Sequence, residues 1–566
     1  MQIFKEIRGN FGLIFSICIS ILFLPQKSPS QDISDRPVRL YQLWDWISYK
    51  YSNYPTSLTE GVELVYFGTS GGIYAFHKYG RYWTEPFTTS NGLSDDFITA
   101  VLYDETTRYL WAAHNKGVSY LTPSSFRWTN ISNADLNLPE TNRILRLGTD
   151  GNAIWVQAEG DYLLTINKIL GFYQAEEESA SEAVKWQPTS LDGVPDMRGY
   201  TIDQDYQIDG RGLILDQNLR EYRVTVFAKI NNDIYGGIAG LGLFEGNANI
   251  KTLHIHPFGP MQNYINAMAV DDNRIWVGGT RSDLNPIFTK SGISCYNQND
   301  GFWEYFESLF INEFATPVVN DLAYKNNRLW IGTEQGLSIY DQNKNRWKRL
   351  SMSSGLADEI ITSIALEDTL AWIGTPRGLN LISIPSYKAR RQRLSPRQNI
   401  LKIFKIAIDS KNIWIGTDNG IYSIDKFNHN VEHYNMFGER IGLDDAVAGN
   451  ITAIGCGDSV TVFGRYHDLL QFSYKDKQWT NIPLTEQLNE ASFFDIAIDG
   501  NYMWLGTDRG AFLMRLSDYY CENYTTLDGL AGNNVFKIFI DGDWVWFATD
   551  CGLTKYSWRK YVTLTE

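Results

Sequence analysis

The chain has little of what metal sites and catalytic centres are built from. Its 566 residues hold 7 His and 5 Cys. No two cysteines form a CxxC pair, which argues against a zinc cage of ordinary ligand spacing. HExxH and phosphate-loop patterns are absent, so no motif announces a metalloprotease or a nucleotide enzyme. His254 and His256 are the one close histidine pair; at strand spacing they are expected as half-buried polar residues. Positive charge is scarce, with 50 Lys and Arg against 65 Asp and Glu, a net charge of −15. Phosphate backbones and anionic membrane surfaces need clustered Lys and Arg, so no nucleic acid is expected as a partner. Long apolar runs are lacking too. Only Phe11–Leu24 stands out, preceded by Lys5 and Arg8 and followed by Ser28 and Ser30. That is the layout of a secretory signal and too short for a membrane span. The reading is a signal peptide over 1–30, a periplasmic or secreted mature chain, and no membrane insertion after cleavage, with a retained anchor as the alternative. Cys295, Cys456, Cys521 and Cys551 then remain. An oxidising compartment leaves three disulfide pairings open, and buried free thiols are the plainer expectation.

Aromatic residues, by contrast, are plentiful. They make up 14% of the chain, with 18 Trp and 33 Tyr, beside 47 Gly. Aromatics favour pleated surfaces and glycine favours turns. The stretch "AWIGTPRGLNLI" (Ala371–Ile382) returns as "LWIGTEQGLSIY" from Leu329 and "IWIGTDNGIYSI" from Ile413. Counting from its tryptophan, equivalent positions run from Tyr66 to Trp546 in twelve copies, the weakest at Tyr206, with a dominant period of 42 residues. That is the length of one four-stranded propeller blade. Each unit reads as an apolar first strand such as Phe493–Asp499, the Trp strand, a tight hairpin, a third strand and a fourth. In "WIGT" both faces carry apolar groups, as expected of a sheet covered on both sides. The glycine of "WIGT" leaves room for a neighbour. In "TPRG", Pro376 suits a type I turn and Gly378 the left-handed position after it. Eight copies have Gly there (72, 117, 212, 336, 378, 420, 510 and 552), and Asp161 and Asp468 stand there in two others. The main stretch that could be helical is Gln174–Trp186.

The fold expected is therefore all-β: tandem β-propellers of four-stranded blades, about twelve in all. Six plus six is favoured, with a first propeller over 36–305 and a second over 306–566. Seven plus five is the alternative, if a terminal strand completes a ring.

The segment "SGLADEIITSIALEDTLAWIGTPRGLNLI" (Ser354–Ile382) resembles the two-component regulator propeller repeats throughout. Asn91–Leu121 and Asp528–Tyr556 match the same pattern, and the resemblance covers about 60–560. It implies a propeller of the kind that forms periplasmic sensor domains binding glycan fragments or other signals. After the last repeat only "SWRKYVTLTE" follows, so no kinase is expected on this chain. "LWDWISYKYSN" (Leu43–Asn53) leading into "VYFGTSGGIYAF" (Val65–Phe76) is also similar to the accessory propeller of type IX secretion.

Within a blade, strands alternate in direction. The loop entering the first strand and the hairpin between strands two and three must share a face. That face would gather Asp95, Asp96, Asp358, Glu359, Arg377, Asp444, Asp445, Arg465, His467 and Arg509, together with the insertion at 281–290. These are the candidate ligand-binding residues for an envelope protein or a glycan; turn formation and solvation are the simpler account of the same residues. No metal, cofactor or catalytic residue is assigned. The function read from the sequence is an exported, non-catalytic propeller serving as a ligand-binding, sensory or protein–protein scaffold at the cell envelope. The alternatives are a polysaccharide lyase or glycosidase, whose carboxylates could come from different blades, and a sensor acting through a separate histidine kinase.

Overall fold

Apolar runs broken by tight turns give short strands, each about one blade high. The computed structural model describes residues 41–562 except 126, 194–195, 203–204, 281–289, 315, 396–399, 435–449 and 466. The expected signal peptide, most of the 281–290 insertion, and Asp444 and Asp445 lie outside the described residues. Among the described residues the strands pair into twelve sheets, and ten of them consist of four strands or are built around four consecutive ones. An eleventh joins the three strands from Val535 to Tyr556 to the N-terminal strand Trp46–Tyr49. The twelfth, at the weakest repeat, is a small three-stranded sheet over 207–222.

The first strands of successive sheets touch in order. Ile265–Val270, Val319–Lys325, Ser363–Leu366, Ile403–Ile408, Ile451–Cys456, Phe493–Asp499 and Val535–Asp541 form a cycle, because the last also packs on the first. Seven sheets therefore close one ring. Its final sheet is completed by Trp46–Tyr49, which pairs antiparallel with Gly552–Tyr556 across some 500 residues of chain. Trp46 stacks on Tyr556 at 3.8 Å between centroids, and the Ser48 and Thr554 hydroxyls meet at 2.9 Å.

A ring of seven sheets has the size of the larger ring in the alternative division, not that of a ring of six. The sheet spanning 265–307, expected in the first propeller, makes its inner-strand contacts with 319–325 and 535–541. Among the described residues the chain thus passes through the seven-sheet ring at Trp46–Tyr49, leaves it for residues 55–256, and returns. The physical reason is the terminal strand: it supplies the seventh sheet with a fourth member.

Residues 55–256 hold four larger sheets and the three-stranded one. Inner strand Pro55–Glu60 touches Ile98–Asp104 on one side and Val224–Ile230 on the other, and Ile98–Asp104 touches Ile144–Thr149. Residues 185–190 fill the remaining space. Lys185 and Trp186 pair with Thr149 and Gly148, Leu58 N–H donates to the Pro188 carbonyl at 3.1 Å, and Ser190 N–H donates to that of Thr56 at 2.7 Å. Gln174–Trp186, the stretch that could have been helical, holds strand residues at its two ends, from Tyr173–Glu176 and Lys185–Trp186.

The repeat's residues do what their spacing implied, and one does more. A Cβ on Gly374 would sit 2.8 Å from Ile403 of the next sheet; on Gly332 it would sit 2.7 Å from Ile361. The glycine is where the neighbouring inner strand closes on the Trp strand. All eight turn glycines have positive φ, as does Asp161, whereas in the Asp468 copy His467 takes that conformation. The threonine of "WIGT" locks the hairpin: Thr375 Oγ1 donates to the Gly378 carbonyl at 2.7 Å and accepts from Arg377 N–H at 3.2 Å. Thr69, Thr333, Thr417, Thr507 and Thr549 repeat this pattern. In the copy that ends "WAAH", His114 Nδ1 accepts the corresponding Lys116 N–H. Burial pulls its imidazole down to about 4, so it stays neutral there.

Candidate binding face and channel

Four contacts show that entry loops and hairpins share a face, as the strand alternation requires. Ser492 N–H donates to Asp508 at 2.9 Å and Lys402 N–H to Asp418 at 3.1 Å. Gly336 N–H donates to the Glu359 carbonyl and Gly510 N–H to that of Asn533, each at 2.7 Å.

Most of the expected site residues are engaged in holding this face. Asp96, buried, accepts from Thr89 N–H at 2.6 Å and pairs with Lys50, tying the first group of sheets to the strand that closes the seven-sheet ring. Glu359 accepts from Met352 N–H at 2.9 Å, and Asn533 from Thr526 N–H at the same distance. The last polar residue of the entry loop therefore latches the turn that precedes it. Asp95 and Asp358 accept from the amides two residues on, those of Phe97 and Ile360. Arg377 reaches Asp358 at 3.3 Å, Arg465 pairs with Asp468 at 2.6 Å, and Arg509 pairs with Glu490 at 2.8 Å. Each of these pairs stays within its own blade or entry loop. The described candidates belong to four different sheets.

A charge cluster that the sequence reading did not single out lies on the inner strands of the seven-sheet ring. Most of these strands shift register once near their start, between Val319 and Asp321, Ile403 and Lys405, Phe493 and Asp495, and Val535 and Lys537. Such a bulge re-aims the side chains that follow it. Lys405 Nζ lies 2.8 Å from Asp495 and Lys537 Nζ lies 3.0 Å from Asp321. All four side chains are at most 17% exposed. Asp495 also accepts from Ile538 N–H at 3.0 Å, and Asp321 from Ile364 N–H at 2.8 Å, so both carboxylates stitch adjacent inner strands. Burial alone would raise Asp495, but Lys405, Lys537 and the Ile538 amide outweigh it and hold the carboxyl low. Burial pulls Lys405 down, while Asp321 and Asp495 together outweigh burial at Lys537 and push it up. Two lysines and two aspartates neutralise one another. The available signal was a Lys or Asp recurring two residues after the start of the first strand.

On the opposite face, beside the strand-one turns, a cleft of about 800 Å³ opens between two sheets of this ring. Asp271, Arg274, Glu304, Tyr324, Tyr340 and Gln342 are among its lining. Burial raises the Tyr324 hydroxyl to about 12, and burial raises Glu304 although Arg274 opposes it. The walls offer aromatic faces and hydrogen-bonding groups of both kinds, a chemistry suited to polar, ring-containing ligands. His254 lies opposite Glu245 across a strand pair, and His256 Nε2 is 3.8 Å from the same carboxylate. Among the described residues no group of three or more His, Cys, Asp or Glu is placed to hold a metal ion. The four described cysteines are free thiols: Cys295 is buried and Cys551 exposed.

No family model and no curated protein matches the chain. Solved structures do. PorZ of Porphyromonas gingivalis, described as an essential bacterial surface component of the type-IX secretion system, is similar over 90% of this chain and 87% of its own, with a TM-score of 0.58 at 15% identity. The extracellular domain of a protein described as a putative hybrid two component system of B. thetaiotaomicron is similar over 92% of this chain and 77% of its own, with a TM-score of 0.42 at 15% identity. At such identities the likeness is one of fold.

Proposed function

We propose that the chain is an exported, non-catalytic propeller protein that serves as an interaction scaffold at the cell envelope, as a surface component of a secretion machinery does. The observation that carries this reading is the extent of the likeness to PorZ, which runs through nearly all of both chains rather than through one ring. The placement of the acidic groups supports it. Asp321 and Asp495, the carboxylates of the charge cluster on the inner strands, are each bound to a lysine and a backbone amide. A glycosidase needs one carboxyl free to donate a proton and another free to attack or to activate water.

A sensory role is the second reading, favoured by the tyrosine-walled cleft around Asp271, Arg274 and Glu304. One experiment separates the two. The mature protein is used as bait on solubilised envelope, and in parallel is applied to a glycan array. The scaffold reading predicts a stoichiometric protein partner. Glycan binding with no protein partner overturns it in favour of the sensor, and turnover of an arrayed polysaccharide overturns both.

A further inference from the structure

The chain is acidic overall, yet two neighbouring outermost strands are strongly basic. In the seven-sheet ring, Arg346–Leu350 reads RWKRL and Lys388–Gln392 reads KARRQ. Arg346, Lys348, Arg349, Lys388, Arg390 and Arg391 are all exposed, and Arg393 continues the series. The other outermost strands of the ring read WEYFE, VEHY, WTN, CENY and WISY, with neither Lys nor Arg.

The two strands present their charge in the same register. Arg346 and Lys348 stand opposite Asp341 and Ile339; Lys388 and Arg390 stand opposite Ser383 and Leu381 at the equivalent positions of the next sheet. Lys348 Nζ sits 4.4 Å from the Tyr387 ring, so the two patches adjoin. Among the described residues, none of these seven side chains has a carboxylate within ion-pair distance. Arg349 donates only to the Gln335 carbonyl, and Arg391 to that of Ala357.

We infer that these two strands form a docking surface for an extended, acidic segment of a partner protein. The inference rests on the scaffold reading and names the chemistry of one partner. Lys388–Gln392 is the last strand of its sheet, paired on one side with Gly378–Ser383 and open on the other. An open edge offers backbone donors and acceptors to an added strand. Alternate outward residues, Lys388 and Arg390, then face every second residue of that strand, where carboxylates pair across the ladder. Arginine outnumbers lysine here, and its planar fork matches carboxylates in pairs. A membrane surface would use the charge but leave the edge unpaired.

The test uses the full mature chain and a labelled peptide of about ten residues alternating Glu with Val, with phosphatidylglycerol vesicles and inorganic polyphosphate as competing probes. The peptide is expected to bind, to weaken by about tenfold or more in the Lys388→Glu/Arg390→Glu variant, and to weaken again with salt. Lys475→Glu, an exposed reversal on another sheet, should leave binding unchanged. Absence of peptide binding, vesicle or polyphosphate binding in its place, or equal binding by the reversed variant overturns the inference. The envelope bait repeated with the reversed variant keeps the two proposals apart. A partner recovered undiminished refutes this docking surface and leaves the scaffold standing, whereas no partner with either protein refutes the scaffold.

Discussion

Replacing Lys405 by Met tests the charge cluster on the inner strands most sharply. The change keeps the side chain's length and removes its charge, leaving Asp495 buried with its 2.8 Å partner gone. Breaking one side of a buried pair costs about 3–5 kcal/mol, because the surviving charge stays desolvated. With an unfolding entropy of about 2.1 cal/mol/K per residue and a cooperative unit of about 300 residues, that is a fall of about 5–8 °C in melting temperature. Lys537 also acts on Asp495 and places the loss toward the lower end. The sign with pH follows from the direction of the shift. In the intact protein Asp495 is held low, so it stabilises above the ordinary carboxylate range, and that contribution is lost as pH falls through its lowered value. In Lys405→Met the carboxyl is held low less strongly, so less stability is lost on acidification and the deficit against the parent narrows. Lys405→Met/Asp495→Leu should recover part of the loss, with a coupling of about 1 kcal/mol or more. Scanning calorimetry at neutral and acidic pH reads all three quantities. An unchanged melting temperature in Lys405→Met, or a deficit that widens on acidification, refutes the reasoning.

Other expectations follow from single contacts. Gly374→Ala places a methyl 2.8 Å from Ile403 and should cost about 1–3 kcal/mol, read by urea denaturation. Trp46→Ala removes the ring that stacks on Tyr556 at the closure; it should cost about 3–5 kcal/mol and expose the N-terminal strand to limited proteolysis. Arg377→Ala, at an exposed pair with Asp358, should change stability by less than about 1 kcal/mol. A thiol reagent should label Cys551 in the native protein and Cys295 only after unfolding.

The repeat made the fold legible because one propeller blade cannot bury its faces alone, so its pattern must recur. Trp372, Gly374 and Gly378 each have a local reason that their spacing already carried. Ring membership was not local. It depends on Trp46–Tyr49 pairing with Gly552–Tyr556, and nothing in either short strand names the other. The same limit applies to the candidate site. "GLxDD" placed acidic residues on the face that carries the hairpins, but their acceptance of nearby amides, Thr89 N–H by Asp96 and Met352 N–H by Glu359, is a matter of side-chain direction. Lys405, Asp495, Lys537 and Asp321 are conspicuous only once the bulges align four inner strands. The basic residues of 346–350 and 388–392 were visible as letters, and became a surface when both strands proved to be outermost and adjacent.

The central claim is that the chain works by holding a partner at the envelope. Crosslinking in intact cells, followed by fractionation and purification of the full chain, tests it directly. The account predicts recovery from the envelope fraction in a defined-stoichiometry adduct with at least one other protein. Recovery of the chain alone, or from the cytosol, would contradict it.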